Sequence, residues 1–223
     1  MFGWDVSYRY DAAGVVSGDY CDYLVTGSGD IFFMVGDVSG KGIAASMLMS
    51  HLHAAFHTLI PMNLPLAQIM SRASGLFLES ALPAQYATLV CGKASRDGDV
   101  EIANAGHPPP LVVATDRTAR IDATGLPIGM FQNEGFEVTR VRLTPDQTLL
   151  MYTDGVVEAE DVEGREYGMD RLAAAAARSV TQPLSALVHA CLTDLAGFRG
   201  TATRSDDITI LALRSNRHDG LST

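Results

Sequence analysis

Ile31-Phe32-Phe33-Met34-Val35-Gly36-Asp37-Val38-Ser39-Gly40-Lys41-Gly42 runs an unbroken apolar segment into a carboxylate flanked by glycines. Five large apolar residues in a row, followed by turn formers, read as a central strand buried on both faces. Asp37 then falls at the strand's end, at the edge of the core, where Gly36 and Gly40 keep side chains away from it. A carboxylate and the Val38 carbonyl on one turn make a pairing that hard cations use. Taken alone, the turn reads more simply as a strand-to-helix connection in which Asp37 or Ser39 caps the helix. The G-x-x-x-x-G-K-[ST] pattern of a nucleotide phosphate loop is absent, since Ile43 follows Gly42.

Outward from this stretch the chain alternates strands and helices. Towards the N-terminus, Trp4–Tyr10 and Asp19–Val25 read as strands, the second joined to Ile31–Val38 through the turn formers at 26–30. Towards the C-terminus, Ala44, Met47, Leu48, Leu52, Ala55, Phe56 and Leu59 recur at helical spacing up to Ile60. Pro61 and Pro65 punctuate, and a second helix runs from about Leu66 to Glu79. Strands are expected at Tyr86–Lys93, Val100–Asn104, Leu111–Ala114, Ala119–Asp122, Phe136–Leu143 and Thr148–Tyr152, with an Asp97-Gly98 hairpin signal between the first two. Val156–Gly168 reads as an exposed acidic loop. Helices at Met169–Ser179 and Leu184–Phe198 precede a last strand, Ile208–Leu213. This order predicts an α+β fold: an αββα four-layer sandwich of two antiparallel sheets with helices on each outer face. Residues 1–214 form one domain, and 215–223 a polar, frayed tail.

The 223 residues are 47% hydrophobic and 19% charged, enough for a substantial core. A formal net charge of −10 without a Lys/Arg cluster argues against nucleic-acid binding. Cys21, Cys91 and Cys191 are far apart and odd in number, so they indicate neither a zinc knuckle nor a disulfide framework. A reduced, cytoplasmic setting is expected. No stretch approaches about 18 uninterrupted apolar residues, so no membrane partner is expected. The methionines, Met47, Met49, Met62 and Met70 among them, are expected to fill the core.

Three further aspartates repeat the strand-end theme: Asp19 in Ser17-Gly18-Asp19, Asp154 in Thr153-Asp154-Gly155, and Asp206 in Ser205-Asp206-Asp207-Ile208-Thr209. Each alone is an ordinary turn or gatekeeper residue. Four together suggest a site for two divalent cations that activate water against a phosphate ester.

The ordered segments Ser17-Gly18-Asp19-Tyr20, Gly36–Gly42, Asn104-Ala105-Gly106-His107-Pro108-Pro109, Gly125–Gly129, Tyr152–Val156 and Ser205–Thr209 cover nearly the whole chain. Through them the sequence resembles the catalytic domain of PPM-type (type 2C) protein phosphatases, in the bacterial SpoIIE/RsbU-like branch. The resemblance implies two Mn²⁺ or Mg²⁺ ions, with Asp37 bridging both, Asp154 and Asp206 on one, and Asp19 with the Val38 carbonyl near the other. It implies direct attack by a metal-bridging hydroxide on a phosphoserine or phosphothreonine, so that Asp37 and Asp19 serve catalysis. Asp207 is a weaker ligand candidate than Asp206 and is expected to orient the turn. Glu158 and His107 are weaker ligand candidates, mapping roughly onto acids of other members, although His107 also reads as a neutral imidazole at a tight corner.

Two departures stand out. No Arg occupies the stretch 11–16 where other members grip phosphate; Arg9 is nearest. No His follows Asp37, where other members carry a candidate general acid. The branch further implies a phosphorylated anti-sigma-factor antagonist of STAS type as substrate, an upstream sensor or receiver domain in cis or trans, and homodimerisation through the first two helices. A catalytically silent module binding the same partner, or a hydrolase of small phosphoesters, are the alternatives. His51, His53 and His57 on the first helix do not all share one face, and a surface or packing role is expected of them.

Overall fold

The computed structural model describes residues 3–82, 84–132 and 135–216. Among the described residues, ten strands form two five-stranded antiparallel sheets. One carries β1 (Trp4–Asp11), β10 (Ile208–Ser215), β9 (Thr148–Tyr152), β6 (Leu111–Val113) and β7 (Thr118–Arg120), in that spatial order. The other carries β2 (Asp19–Val25), β3 (Ile31–Val38), β4 (Ala87–Ala94), β5 (Asp99–Ala105) and β8 (Thr139–Arg142). Helices α1 (Ile43–Leu59) and α2 (Leu66–Ser80) cover the outer face of the β3 sheet. Helices α4 (Met169–Ser179) and α5 (Leu184–Arg199) cover that of the β10 sheet. A one-turn helix, α3 (Asp154–Val157), follows β9.

The continuous apolar runs have a direct cause. Successive side chains of a strand point to opposite faces, and here both faces of each central strand are covered. Ile31, Phe33 and Val35 of β3 enter the core between the sheets, while Phe32, Met34 and Val38 meet α1 and α2. In β9, Leu149 and Met151 face the inter-sheet core and Leu150 and Tyr152 the helices. The same division separates Leu211 and Leu213 of β10 from Ile208, Ile210 and Ala212. Four layers therefore enclose three apolar interfaces.

Helix α1 packs through Ala45, Leu48, Leu52, Ala55, Phe56 and Leu59. The segment Ile43–Met62 is long and apolar enough to cross a membrane by length and composition, with a mean hydropathy of 1.2. Its packing on the β3 sheet and the polar Ser50, His51, His53 and His57 along it make it a surface helix of the domain. Met70 is fully buried as expected, but Met47 and Met62 are exposed. Leu48 and Leu52 take the core stripe and leave Met47 on the outer side.

Three expectations need correction. The segment 156–168 is not simply an exposed loop: Val156, Ala159, Asp161 and Tyr167 are buried. Asp161 anchors its turn by accepting from the backbone N–H groups of Glu163 (2.9 Å) and Arg165 (3.0 Å), and Tyr167 donates to Asp194 at 2.9 Å. The strand expected over Phe136–Leu143 is confined to Thr139–Arg142, because Phe136 turns into the α1–α2 core. The last strand reaches Ser215, which pairs with Trp4, so the tail does not begin there. Positions 217–223 of that expected tail lie outside the described residues.

Candidate metal centre and cleft

Adjacent antiparallel strands bring the first two acids together. Asp19 opens β2 and stands opposite Asp37, near the end of β3. The other two come from the β10 sheet: Asp154 follows β9, Asp206 precedes β10, and these strands pair. The acids thus gather where the same ends of both sheets meet, and each sheet supplies two.

Glycines set how closely the segments approach. A Cβ on Gly18 would lie 3.0 Å from the Val38 carbonyl oxygen and 3.2 Å from Asp37 Oδ1. A side chain there would crowd both oxygens. A Cβ on Gly155 would lie 1.9 Å from the Asp207 carbonyl oxygen, so only glycine lets α3 seat against the 206–207 turn. Beyond Asp37, Gly40 and Gly42 take φ of 97° and 75°, left-handed values that turn the chain from β3 into α1.

Asp19 is buried, and two hydroxyls compensate it. Thr209 donates to its Oδ2 at 2.5 Å and Thr153 at 3.0 Å. Its own N–H donates to Ser17 Oγ at 3.0 Å. Burial nevertheless pushes its pKa up to about 7, with Asp207 and Asp154 adding to the rise and the two threonines opposing it. Asp37 is raised to about 8, first by burial and then by Asp19, Asp154, Asp206 and Asp207. Asp154 is raised by burial, with Asp206 contributing and the Gly155 N–H, 2.8 Å from its Oδ1, opposing. Three buried carboxylates, each raised further by acids beside it, constitute a site short of positive charge.

Asp207 does something different from its neighbour. Its carboxylate accepts from the Ala13 N–H (2.7 Å), the Gly18 N–H (3.2 Å) and the Ser17 hydroxyl. It clasps the 11–18 loop to the start of β10. Glu158 is exposed at the end of α3 and has a raised pKa, from burial first and then from Asp154, Glu166 and Asp206. His107 is buried. Its Nδ1 lies 2.9 Å from Thr88 Oγ1, and Asn104 brackets its backbone through bonds of 2.8 and 3.1 Å. Burial lowers its pKa to about 3, so the imidazole is neutral, and it is not among the residues lining the cleft.

That cleft, about 530 Å³, is lined by Gly18, Asp37, Lys41, Asp206 and Asp207, with Val15, Val16 and Tyr86 on its wall. Lys41 reaches into it, 3.5 Å from Asp206 and 3.2 Å from the Ser205 carbonyl. Arg9 faces a separate groove between β1 and α5. Thr153, Thr209 and Ser17 were not singled out in the sequence, and Lys41 was weighed there only for a nucleotide phosphate loop, whose pattern is absent. The two threonines flank Asp154 and Asp206-Asp207 within the quoted motifs, which was the available signal. The donor set suits hard cations: carboxylates and one carbonyl, all oxygen.

A family model described as Stage II sporulation protein E (SpoIIE) matches residues 27–216. Protein IcfG of Synechocystis sp. is 24% identical over 96% of this chain and 38% of its own length. Phosphoserine phosphatase RsbP of Bacillus subtilis is 30% identical over 67% of this chain and 38% of its own. Phosphoserine phosphatase RsbU of the same organism is 24% identical over 89% and 59%. The chain therefore spans less than two thirds of these relatives. Among solved structures, the RsbU and RsbW domains of Rv1364c from Mycobacterium tuberculosis superpose with a TM-score of 0.81 at 27% identity, covering 96% of this chain and 60% of that one. The SiaA-PP2C domain of Pseudomonas aeruginosa gives 0.84 at 22% identity, covering 94% and 84%.

Proposed function

The chain belongs to the SpoIIE family and has the fold of PP2C phosphatase domains, and from this we propose that it is a phosphoserine/phosphothreonine protein phosphatase dependent on two Mn²⁺ or Mg²⁺ ions. The observation that carries the reading is the meeting of Asp19 and Asp37 with Asp154 and Asp206, close enough that Asp19, Asp154 and Asp206 raise the pKa of Asp37. The all-oxygen donor set and the space Gly18 leaves beside Asp37 and Val38 fit such ions. Asp19, Asp37, the Val38 carbonyl, Asp154 and Asp206 would hold them. When bound, such a pair lowers the pKa of water and offsets charge on the transferring phosphoryl group.

The protein's own residues prepare this site. Thr153 and Thr209 fix one oxygen of Asp19 and favour its ionised form. Asp207 keeps the Gly18 loop against the cluster, so that Asp37 stays unobstructed. Lys41 is the cation placed in the cleft and would meet phosphate oxygens where the expected Arg is absent. Val15, with its side chain fully exposed, Val16 and Tyr86 give the cleft an apolar wall suited to a polypeptide.

The substrate we propose is a phosphorylated anti-sigma-factor antagonist of STAS type, in a cytoplasmic partner-switching system. The RsbU and RsbP names of the relatives and the joined RsbU and RsbW domains of the mycobacterial protein support it. Control by a sensor or receiver domain, in cis or trans, and dimerisation through α1 and α2 belong to the same proposal. The test is phosphate release from such a phosphoprotein, and from p-nitrophenyl phosphate, with Mn²⁺, Mg²⁺ or EDTA. Turnover that needs the metal and is lost in Asp37→Asn and Asp206→Asn is expected. Folded protein that binds the phosphoprotein but releases no phosphate with any metal would instead make it a silent binding module.

A further inference from the structure

A second group of ligand-type side chains lies away from the cleft. Asp22 of β2, and His53 and His57 one turn apart on α1, place three ligand atoms within 4.8 Å of one another. His57 Nε2 is 2.7 Å and His53 Nδ1 is 3.1 Å from the same oxygen, Asp22 Oδ2. The two imidazole rings are 4.1 Å apart, centroid to centroid. The i, i+4 spacing puts these two on one face, while His51 faces elsewhere. Each imidazole therefore aims a ring nitrogen at one point on the protein surface.

We propose that Asp22, His53 and His57 form a site for a borderline transition-metal ion, Zn²⁺ being the representative case, that staples α1 to β2. The donor chemistry separates it from the cleft: two imidazole nitrogens and one carboxylate suit Zn²⁺, whereas the all-oxygen cluster suits Mg²⁺ or Mn²⁺. The spacing is close to what the ion requires. Zn–N and Zn–O bonds of about 2.0–2.2 Å place tetrahedral ligand atoms roughly 3.3 Å apart, against the 2.7 and 3.1 Å seen here. A slight outward movement of exposed side chains opens the centre, with a fourth position left to water.

The surroundings hold the ligands in place. The Tyr23 N–H donates to Asp22 Oδ1 at 2.8 Å, and Oδ2 faces the histidines while also accepting from the Tyr20 hydroxyl at 3.4 Å. The Tyr20 ring meets His53 edge-on at 6.1 Å and stacks on Phe56 at 6.2 Å. Outer contacts of this kind orient first ligands. An ordinary helix-to-sheet hydrogen bond needs only one of the two imidazoles, yet both converge on one oxygen.

Zn²⁺ binding is measured on the whole chain by competition with a chromophoric chelator, in excess Mg²⁺ to occupy oxygen sites. The expected result is one Zn²⁺ equivalent per chain in the wild type and in Asp37→Asn, lost in His53→Ala/His57→Ala and in Asp22→Asn. Co²⁺ in the same position is expected to give visible ligand-field absorption that disappears with the same substitutions. Both histidines are exposed, so the double variant keeps its circular dichroism. Equal Zn²⁺ stoichiometry in the wild type and the folded double-histidine variant would overturn the proposal, and so would its loss in Asp37→Asn alone.

Discussion

Gly155→Ala is the sharpest test of how the two sheets' acids are brought together. The added methyl would sit 1.9 Å from the Asp207 carbonyl oxygen, 3.1 Å from its carbon and 3.2 Å from the Asp206 Cβ. Atoms in good contact stand about 3.5–4.0 Å apart, so α3 and the 206–207 turn must separate by on the order of 1.5–2 Å. Both neighbours are backbone of short, anchored segments and yield poorly. Overpacking of this size costs about 1–3 kcal/mol, which in a chain this long lowers Tm by roughly 2–12 °C. The displacement falls between Asp154 and Asp206, and a shift of about 1 Å in a catalytic arrangement costs on the order of 10²-fold in rate. The assay pairs thermal melting with Mn²⁺-dependent phosphate release. Gly75→Ala is the control, because a methyl there meets nothing within 4 Å. As an exposed helical change it is expected to stabilise by about 0.5–1 kcal/mol. A Gly155→Ala protein with wild-type Tm and wild-type kcat would refute the reasoning.

The pH dependence of the chelated protein follows from the acids. Asp19 and Asp37, raised to about 7 and about 8, hold protons in the folded chain that the unfolded chain has released above about pH 4. Stability without metal therefore falls as pH rises from 5 to 8, and Mn²⁺ added at pH 8 restores it; urea midpoints rising with pH in EDTA would contradict this. Thr209→Val removes the 2.5 Å hydroxyl contact to buried Asp19. It is expected to cost about 1.5–3 kcal/mol at pH 8 and less at pH 5, where Asp19 is protonated; an equal loss at both pH values would argue against a charge-linked role. Lys41→Met is expected to change stability by no more than about 0.5 kcal/mol, since its ion pair is exposed. It is expected to raise KM for the phosphoprotein by about tenfold, through loss of a charge-assisted contact; an unchanged KM would remove Lys41 from phosphate binding.

How much of this was legible in the sequence varies with the range of the interaction. The strand Ile31–Val38 and the helix Met169–Ser179 were legible to the residue, since burial on two faces and helical periodicity are local patterns. The meeting of Asp19, Asp37, Asp154 and Asp206 was suggested by recurrence, not by any one motif. Their partners were harder. Thr153 and Thr209 look like ordinary strand-end residues until β9 and β10 pair and turn both hydroxyls on Asp19. The 156–168 segment misled because its acidic composition masks Val156, Ala159 and Tyr167, which point inward from a tight turn. The Asp22–His53–His57 group was illegible, because nothing local announces that β2 lies under the third and fourth turns of α1.

The pairing of β1 with β10, Trp4 opposite Ser215 and Asp11 opposite Ile208, has a consequence for biosynthesis. β1 must wait for β10, which follows it by about 200 residues. At about 5–20 residues per second on the ribosome, that delay is on the order of 10–40 s. Throughout it the edge of β1 has no partner, and Asp19 lacks the Thr209 hydroxyl and the neighbouring Asp206. A nascent chain can thus complete the β2–β5 sheet with α1 and α2 early, but it acquires the intact acidic centre only after its C-terminal strand has emerged. Termination ahead of β10 and the turn before it would leave a fragment with an open strand edge, lacking Asp206 and the Thr209 hydroxyl on Asp19.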